Sequence, residues 1–246
     1  TDFLKRTFEG YFKRIIIAGD GGEALQLVRS HVPDIIVSDV MMPRMNGYKL
    51  CKTIKEDINI SHIPVILLTA RDDRQSQISG YKNGADGYLS KPFEVEMLME
   101  LIRNRLKNRE YTKKRYLNAG LIPTPEESTI SLTDETFLIK LNSIIQENIE
   151  NSNLGIQFIC QEVGLGRSSL YNKLKALTGM GANEYISKLR IEKAITLISG
   201  TDMPFSEIAE KTGFTTPSYF STAFKQYTGE TPSQYKERKK KGLADK

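Results

Sequence analysis

DIIVSDVMMPRMNG, residues 34–47, is the stretch that decides the fold. A short apolar run, Ile35–Val37, reads as a buried strand that ends on a carboxylate, Asp39. Pro43, Asn46 and Gly47 then mark a turn, with a helix after it. An aspartate at the C-terminal end of a parallel strand stands where open α/β sheets bind their ligands. On its own, such a carboxylate suits a metal ligand, a base or a nucleophile.

Outward from this stretch, strand and helix alternate up to about Lys107. Thr1–Glu9 reads as helix, Arg14–Ala18 (RIIIA) as strand, and Glu23–His31 as helix behind a Gly21–Gly22 turn. Strand Asp34–Asp39, helix Tyr48–Glu56, strand Pro64–Thr69 (PVILLT), helix Asp73–Asn83, strand Gly87–Ser90 and helix Glu94–Lys107 complete the series. Apolar strands interleaved with amphipathic helices predict a parallel sheet covered on both faces. Tyr116–Thr133 has two prolines and little periodicity, and reads as a linker. Beyond it no strand pattern recurs. Glu135–Glu150 is an amphipathic helix, and short helices bounded by Gly, Pro, Ser or Thr follow. The predicted organisation is an α/β domain over 1–115, a linker over 116–133 and an all-α domain over 134–246.

The 246 residues suffice for two modest cores, and 39% hydrophobic with 26% charged residues is ordinary for a globular protein. No apolar run approaches the ~20 residues that span a bilayer. The two cysteines, Cys51 and Cys160, lie in different predicted domains outside any metal-ligand spacing, which suits buried thiols in a reducing compartment such as the cytoplasm. His31 and His62 each stand alone beside a strand entry and read as boundary residues. Charge is unevenly placed. Val163 to the end carries 14 Lys and Arg against 8 Asp and Glu, whereas Tyr116–Glu162 carries 1 against 7. The C-terminal third therefore has the concentrated positive charge of a surface that meets nucleic acid.

Three further residues join Asp39. Thr69 ends one predicted strand, Tyr88 lies in the next, and Lys91 ends that strand just before Pro92. Asp39, Thr69 and Lys91 then project at the same edge of the sheet. A carboxylate, a hydroxyl and a fixed cation around one small volume suit phosphoryl transfer to the aspartate. In order and spacing, D–MMP–NG, LLTA and GADGYLSKPF resemble the receiver domain of two-component response regulators across most of Thr1–Lys107. The resemblance implies a flavodoxin-like parallel sheet of strand order 2-1-3-4-5. It makes Asp39 the phosphoacceptor, Thr69 and Lys91 the phosphoryl contacts and Tyr88 the aromatic that turns inward on activation. It also implies a cis Lys91–Pro92 bond, and Mg²⁺ held by Asp39 and the backbone carbonyl of Met41.

Receivers begin with a strand that ends in an acidic pair, and the pair completes the Mg²⁺ site. Here the chain opens directly in what reads as the first helix, so strand 1 and the pair are missing from these residues. Asp20 is no substitute, because it precedes the second helix in a different loop. The expectation is that the natural protein carries about 15–20 further residues upstream, one strand and its loop.

In the second domain, Ile156–Thr178 reads as helix, turn at Gly164–Gly166, and helix. Phe205–Tyr227 repeats the plan with a turn at Gly213–Thr216 and Pro217 in the first turn of its second helix. A longer amphipathic helix, about Ala182–Ser199, joins them. Such a pair can place both second helices in successive major grooves about 34 Å apart. SEIAEKTGF and SYFSTAFKQYTGETPSQY, within roughly Asp134–Arg238, resemble the AraC/XylS family. By that resemblance Ser168, Ser169, Tyr171 and Asn172 on the first recognition helix, and Ser218, Ser221 and Thr222 on the second, face base edges. Arg167, Lys173 and Lys225 contact phosphates. Leu170, Leu174, Phe220 and Phe224 recur on the opposite side as core. Phe214 and Tyr219 read as packing, and the KERKKK tail, Lys236–Lys241, as a frayed terminus.

Together these readings predict a cytoplasmic, DNA-binding transcription regulator rather than an enzyme with a small-molecule substrate. A histidine kinase would phosphorylate Asp39, and the phosphorylated protein would bind double-stranded DNA as a homodimer. The domain order also resembles the end of hybrid two-component proteins, whose sensor and kinase precede the receiver in one polypeptide, so the chain could be the cytoplasmic end of a membrane-anchored sensor. A pseudo-receiver controlled by protein contacts is the alternative. A haloacid-dehalogenase-like phosphatase would want a second aspartate two residues after Asp39, where Met41 stands.

Overall fold

The computed structural model describes residues 2–70, 84–119 and 131–244, and the predicted helix Asp73–Asn83 lies outside them. The chain divides into two compact units, centred on Thr1–Arg115 and Phe137–Lys246.

The first unit is built on three parallel strands, β1 (Ile36–Asp39), β2 (Val65–Ala70) and β3 (Gly87–Lys91), in the order β1-β2-β3. Asp39 pairs with Leu68, and Thr69 and Ala70 pair with Ser90 and Lys91. Central strand β2 is buried from Val65 to Thr69, which explains its unbroken apolar run: both faces are covered. Val65 and Leu67 point into a core with Val28, Leu50, Cys51, Ile54 and Ile63. Ile66 and Leu68 point the other way, against Phe8, Leu89, Leu98, Met99 and Ile102. The helices that supply these residues are α1 (Asp2–Phe8), α2 (Gly21–His31), α3 (Gly47–Glu56) and α4 (Val95–Ala119). A buried charge ties α3 to the start of β2. The Lys55 ammonium donates to the Ser61 and Ile63 carbonyls at 3.2 and 2.9 Å and lies 2.8 Å from the Asp86 carboxylate. That carboxylate also accepts from the Val65 N–H at 2.7 Å.

Two expectations differ here. Arg14–Ala18 is not a strand, although Ile15 and Ile17 are half-buried and alternate with exposed Ile16. The side-chain pattern of a strand is present, but the ladder is not. In the order 2-1-3-4-5 its neighbour is strand 1, which these residues do not supply, and a strand exists only through its hydrogen-bonded partner. The predicted linker is also shorter at both ends. Helix α4 runs through Tyr116–Ala119, and α5 (Leu132–Glu147) begins at Leu132. KKRYLNA contains neither Gly nor Pro, so nothing stops the helix before Gly120.

The second unit is helical: the body of α5, then α6 (Ile156–Val163), α7 (Arg167–Thr178), α8 (Ala182–Gly200), α9 (Phe205–Lys211), α10 (Pro217–Thr228) and α11 (Pro232–Ala244). α6–α7 and α9–α10 are two copies of one design. In each, a glycine at φ +73° or +72°, Gly164 or Gly213, reverses the chain. The next residue, Leu165 or Phe214, donates its N–H back to the Cys160 or Ala209 carbonyl. Both second helices run 12 residues and stop at a left-handed glycine, Gly179 or Gly229, whose N–H bonds the Lys175 or Lys225 carbonyl. The second turn is one residue longer, and there Thr216 caps α10 by accepting from the Tyr219 N–H at 3.2 Å. Long helix α8 contributes Ile191, Ala194 and Ile198 to the core of the second copy. Phe214, Phe220, Phe224 and Tyr235 stack through that core with ring centroids 5.4–5.7 Å apart, spacings at which aromatic pairs attract beyond their buried area. The KERKKK stretch is not frayed as far as it is described: it continues α11, with Arg238 bonded to Glu230 at 2.7 Å.

Candidate functional site

The sheet order brings one end of each strand to a common rim. Asp39 ends β1, Thr69 stands next to the end of β2, and Lys91 ends β3. The Lys91 ammonium reaches past β2 to pair with the Asp39 carboxylate, and Asp39 Oδ1 accepts the Met41 N–H at 3.1 Å. Thr69 is 1% exposed, and its hydroxyl has no hydrogen-bond partner among the described residues. A buried hydroxyl without a partner is costly, so a ligand atom that accepts from it is favoured. Tyr88 is half-buried and packs on the core that contains Leu50 and Leu67. The Lys91–Pro92 bond is cis, as expected.

The loop after Asp39 is held tightly. Gly47 returns its N–H to the Val40 carbonyl at 3.0 Å, and a Cβ at Gly47 would overlap the Asp39 carbonyl, so this approach needs glycine. Asn46 caps α3 by accepting from the Lys49 N–H at 2.9 Å. Asp20 plays no part in the rim. It caps α2 by accepting from Gly22 and Glu23 at 2.7 and 3.1 Å, and its other oxygen pairs with Arg44. The Glu23 and Gly22 N–H groups and the Arg44 guanidinium outweigh burial and hold its carboxyl below the ordinary value.

The expected Mg²⁺ meets an incomplete donor set. Asp39 and the Met41 carbonyl are the two ligands the resemblance assigns. Among the described residues no group of three or more Asp, Glu, His or Cys could hold a metal ion. The residues present therefore do not fit a full Mg²⁺ site.

On the first recognition helix, α7, Arg167, Ser168, Tyr171 and Asn172 are exposed and Ser169 is half-buried. Arg167 also donates to the Gln157 side chain of α6 at 3.1 Å. Lys173 corrects the reading made from sequence. It is 0% exposed, with its ammonium 5.1 Å from the centre of the Phe137 ring, and cannot present charge to a phosphate. The repeat shows why: Lys173 aligns with Ala223 on the inner side, and Lys225 aligns with Lys175. Lys175 is exposed and extends the Ser168–Asn172 face by one turn. It was missed, and the 50-residue offset between the two units was the signal that could have found it.

On α10, Ser218, Thr222 and Lys225 are exposed and Ser221 is half-buried. Leu170, Leu174, Phe220 and Phe224 are fully in the core, and Phe214 is buried. Tyr219 differs from its expected packing role: its ring edges against Phe214 at 5.7 Å, yet the residue is 54% exposed.

Two protein families match the chain. Residues 2–103 match the response regulator receiver domain family, and residues 159–238 match the helix-turn-helix domain family. The chain is 42% identical over 224 residues to histidine kinase P4 of Formosa agariphila, an alignment covering 91% of this chain and 16% of that protein. It is 30% identical to the probable transcriptional regulator ycf29 of Pyropia yezoensis, over 69% of this chain and 82% of that protein. It is 31% identical to the solved C-terminal domain of AraT, a response regulator from Geobacillus stearothermophilus, with a TM-score of 0.39 over 42% of this chain and 84% of that one. This chain thus spans about one sixth of the length of the kinase relative.

Proposed function

The chain belongs to the response regulators, a receiver domain followed by an AraC-type helix-turn-helix domain, and on that premise we propose that phosphoryl transfer to Asp39 governs its binding to promoter DNA. The observation that carries the reading is the rim: Asp39 paired with Lys91 across β2, beside a buried Thr69 hydroxyl without a hydrogen-bond partner among the described residues. A carboxylate oxygen of Asp39 attacks the phosphorus of a kinase phosphohistidine. The O–P bond forms as the N–P bond breaks, and the imidazole leaves. Lys91 then pairs with a phosphoryl oxygen, and Thr69 donates its hydroxyl to another. The pull on Thr69 and Lys91 shifts β3 and Tyr88 and favours a homodimer. Two linked copies present four helix-turn-helix units to repeated DNA sites, which raises occupancy through local concentration. The 91% match inside a far longer histidine kinase supports a place within a hybrid sensor that carries its kinase in the same polypeptide. No described helix is long and apolar enough to cross a membrane.

Incubation with a phosphorylated histidine kinase and Mg²⁺, on a chain with the expected upstream strand restored, tests the first step. Label should enter the chain and be absent in Asp39→Asn. In a second reading, the receiver unit answers to a protein partner without phosphorylation. Equal labelling of wild type and Asp39→Asn, or none in either at saturating Mg²⁺, would favour that second reading.

A further inference from the structure

The two recognition helices share a backbone plan but not a presented face. With about 100° per residue, Phe220 and Phe224 set the inner side of α10. Thr222 then lies on the outermost line, Tyr219 about 60° to one side of it, and Ser221 about 100° to the other. Exposure follows: Tyr219 is 54% exposed, and Ser221 is half-buried. In α7 the flanks are reversed. Ser169, which aligns with Tyr219, is half-buried, and Tyr171, which aligns with Ser221, is 53% exposed. Tyr219 and Tyr171 are therefore exposed on opposite flanks of their helices, while the exposed Tyr227 lies in the last turn of α10 and donates its hydroxyl to Glu192 at 3.1 Å.

Tyr219 is the better held. Its N–H is fixed by the Thr216 cap at 3.2 Å, which places it in the first turn, the part of a recognition helix that enters the groove. Its ring leans on buried Phe214, so few rotamers remain to be lost on binding. No described residue hydrogen-bonds its hydroxyl. We propose that Tyr219 is a DNA-backbone contact, its hydroxyl donating to a phosphate on the wall of the groove that α10 enters. Its position off the Ser218–Thr222–Lys225 line favours phosphate over base edge, and phosphate and sugar take at least half of all protein–DNA hydrogen bonds. The inference rests on the DNA-binding reading above.

A neutral donor has a distinct signature. A lysine on a phosphate releases a counterion and steepens the salt dependence, whereas a phenol does not. Tyr219→Phe keeps the ring on Phe214 and removes only the hydroxyl. For the full chain titrated with genomic duplexes over a salt series, binding by Tyr219→Phe should weaken about tenfold on every sequence, with an unchanged log–log slope. Lys225→Ala, measured beside it, should flatten the slope by about 0.9. Wild-type affinity in Tyr219→Phe, or a loss confined to duplexes with one particular base, would overturn the inference. If wild type binds no duplex at low salt, the DNA-binding reading itself fails, and the two failures are told apart.

Discussion

Gly164→Ala and Gly213→Ala put one methyl group into two turns of nearly identical backbone, φ +73° and +72°. A left-handed residue other than glycine costs about 1–2 kcal/mol, and that part is common to both. At Gly164 nothing stands within 4 Å of the added Cβ, so the backbone cost is the whole cost. At Gly213 the methyl would overlap the Ile149 carbonyl and lie 2.9 Å from Arg190 Nη2. That guanidinium is buried and donates to the Asn151 carbonyl at 2.7 Å, so it cannot step aside freely. Losing a hydrogen bond from a charged donor costs about 1.5–3 kcal/mol. The expected destabilisation is therefore about 1–2 kcal/mol for Gly164→Ala and about 2.5–5 for Gly213→Ala. Urea unfolding followed by far-ultraviolet circular dichroism measures both. Equal losses, or a smaller loss at Gly213, would refute the claim that crowding by Ile149 and Arg190 demands glycine there.

Other expected outcomes are more quickly stated. Lys175→Ala should flatten the salt dependence of DNA binding by about 0.9, as a lost phosphate contact does. Lys173→Met should leave that slope unchanged, because the ammonium is buried beside the Phe137 ring; a flattened slope would contradict the burial of Lys173. Asp20 has a depressed carboxyl pKa, so its contribution is full above about pH 4, its unfolded value, and is lost as pH falls through the lower folded value. Asp20→Asn still caps α2 but cannot titrate, so its urea midpoint should fall less steeply than that of wild type as the pH drops below about 4. The burial that pushes the Cys51 thiol up to about 12 should keep it unmodified by iodoacetamide in the folded chain at neutral pH, and the mass of the Cys51 peptide reports it.

What the sequence showed depended on how local each signal was. Strands β1, β2 and β3 could be read to within two residues, since their apolar runs and the turn residues beside them lie within one short window. The second helix of the second unit could be placed to the residue at Pro217 for the same reason. Arg14–Ala18 was misread because a strand needs a partner, and the partner is not in the run itself. Lys173 and Lys175 are two residues apart, and only the packing of α7 decides which one faces inward; a charged residue on the inner side reads as surface until its neighbours are known. Tyr219 was misjudged through the same ambiguity, being anchored on Phe214 and exposed at once. At the rim, Asp39, Thr69 and Lys91 were legible because β-strand ends are local, whereas the pairing of Asp39 with Lys91 across β2 is a property of sheet order.

The claim at the centre of this account is that phosphoryl chemistry at Asp39 controls a DNA-binding unit. Its most direct test is the affinity of the chain for a genomic duplex that it binds, before and after treatment with a phosphorylated histidine kinase, in wild type and in Asp39→Asn. Tighter binding after treatment in wild type, with no change in Asp39→Asn, is the predicted result. An identical response in both proteins, or DNA binding indifferent to treatment in a wild type shown to carry the phosphoryl group, would contradict it.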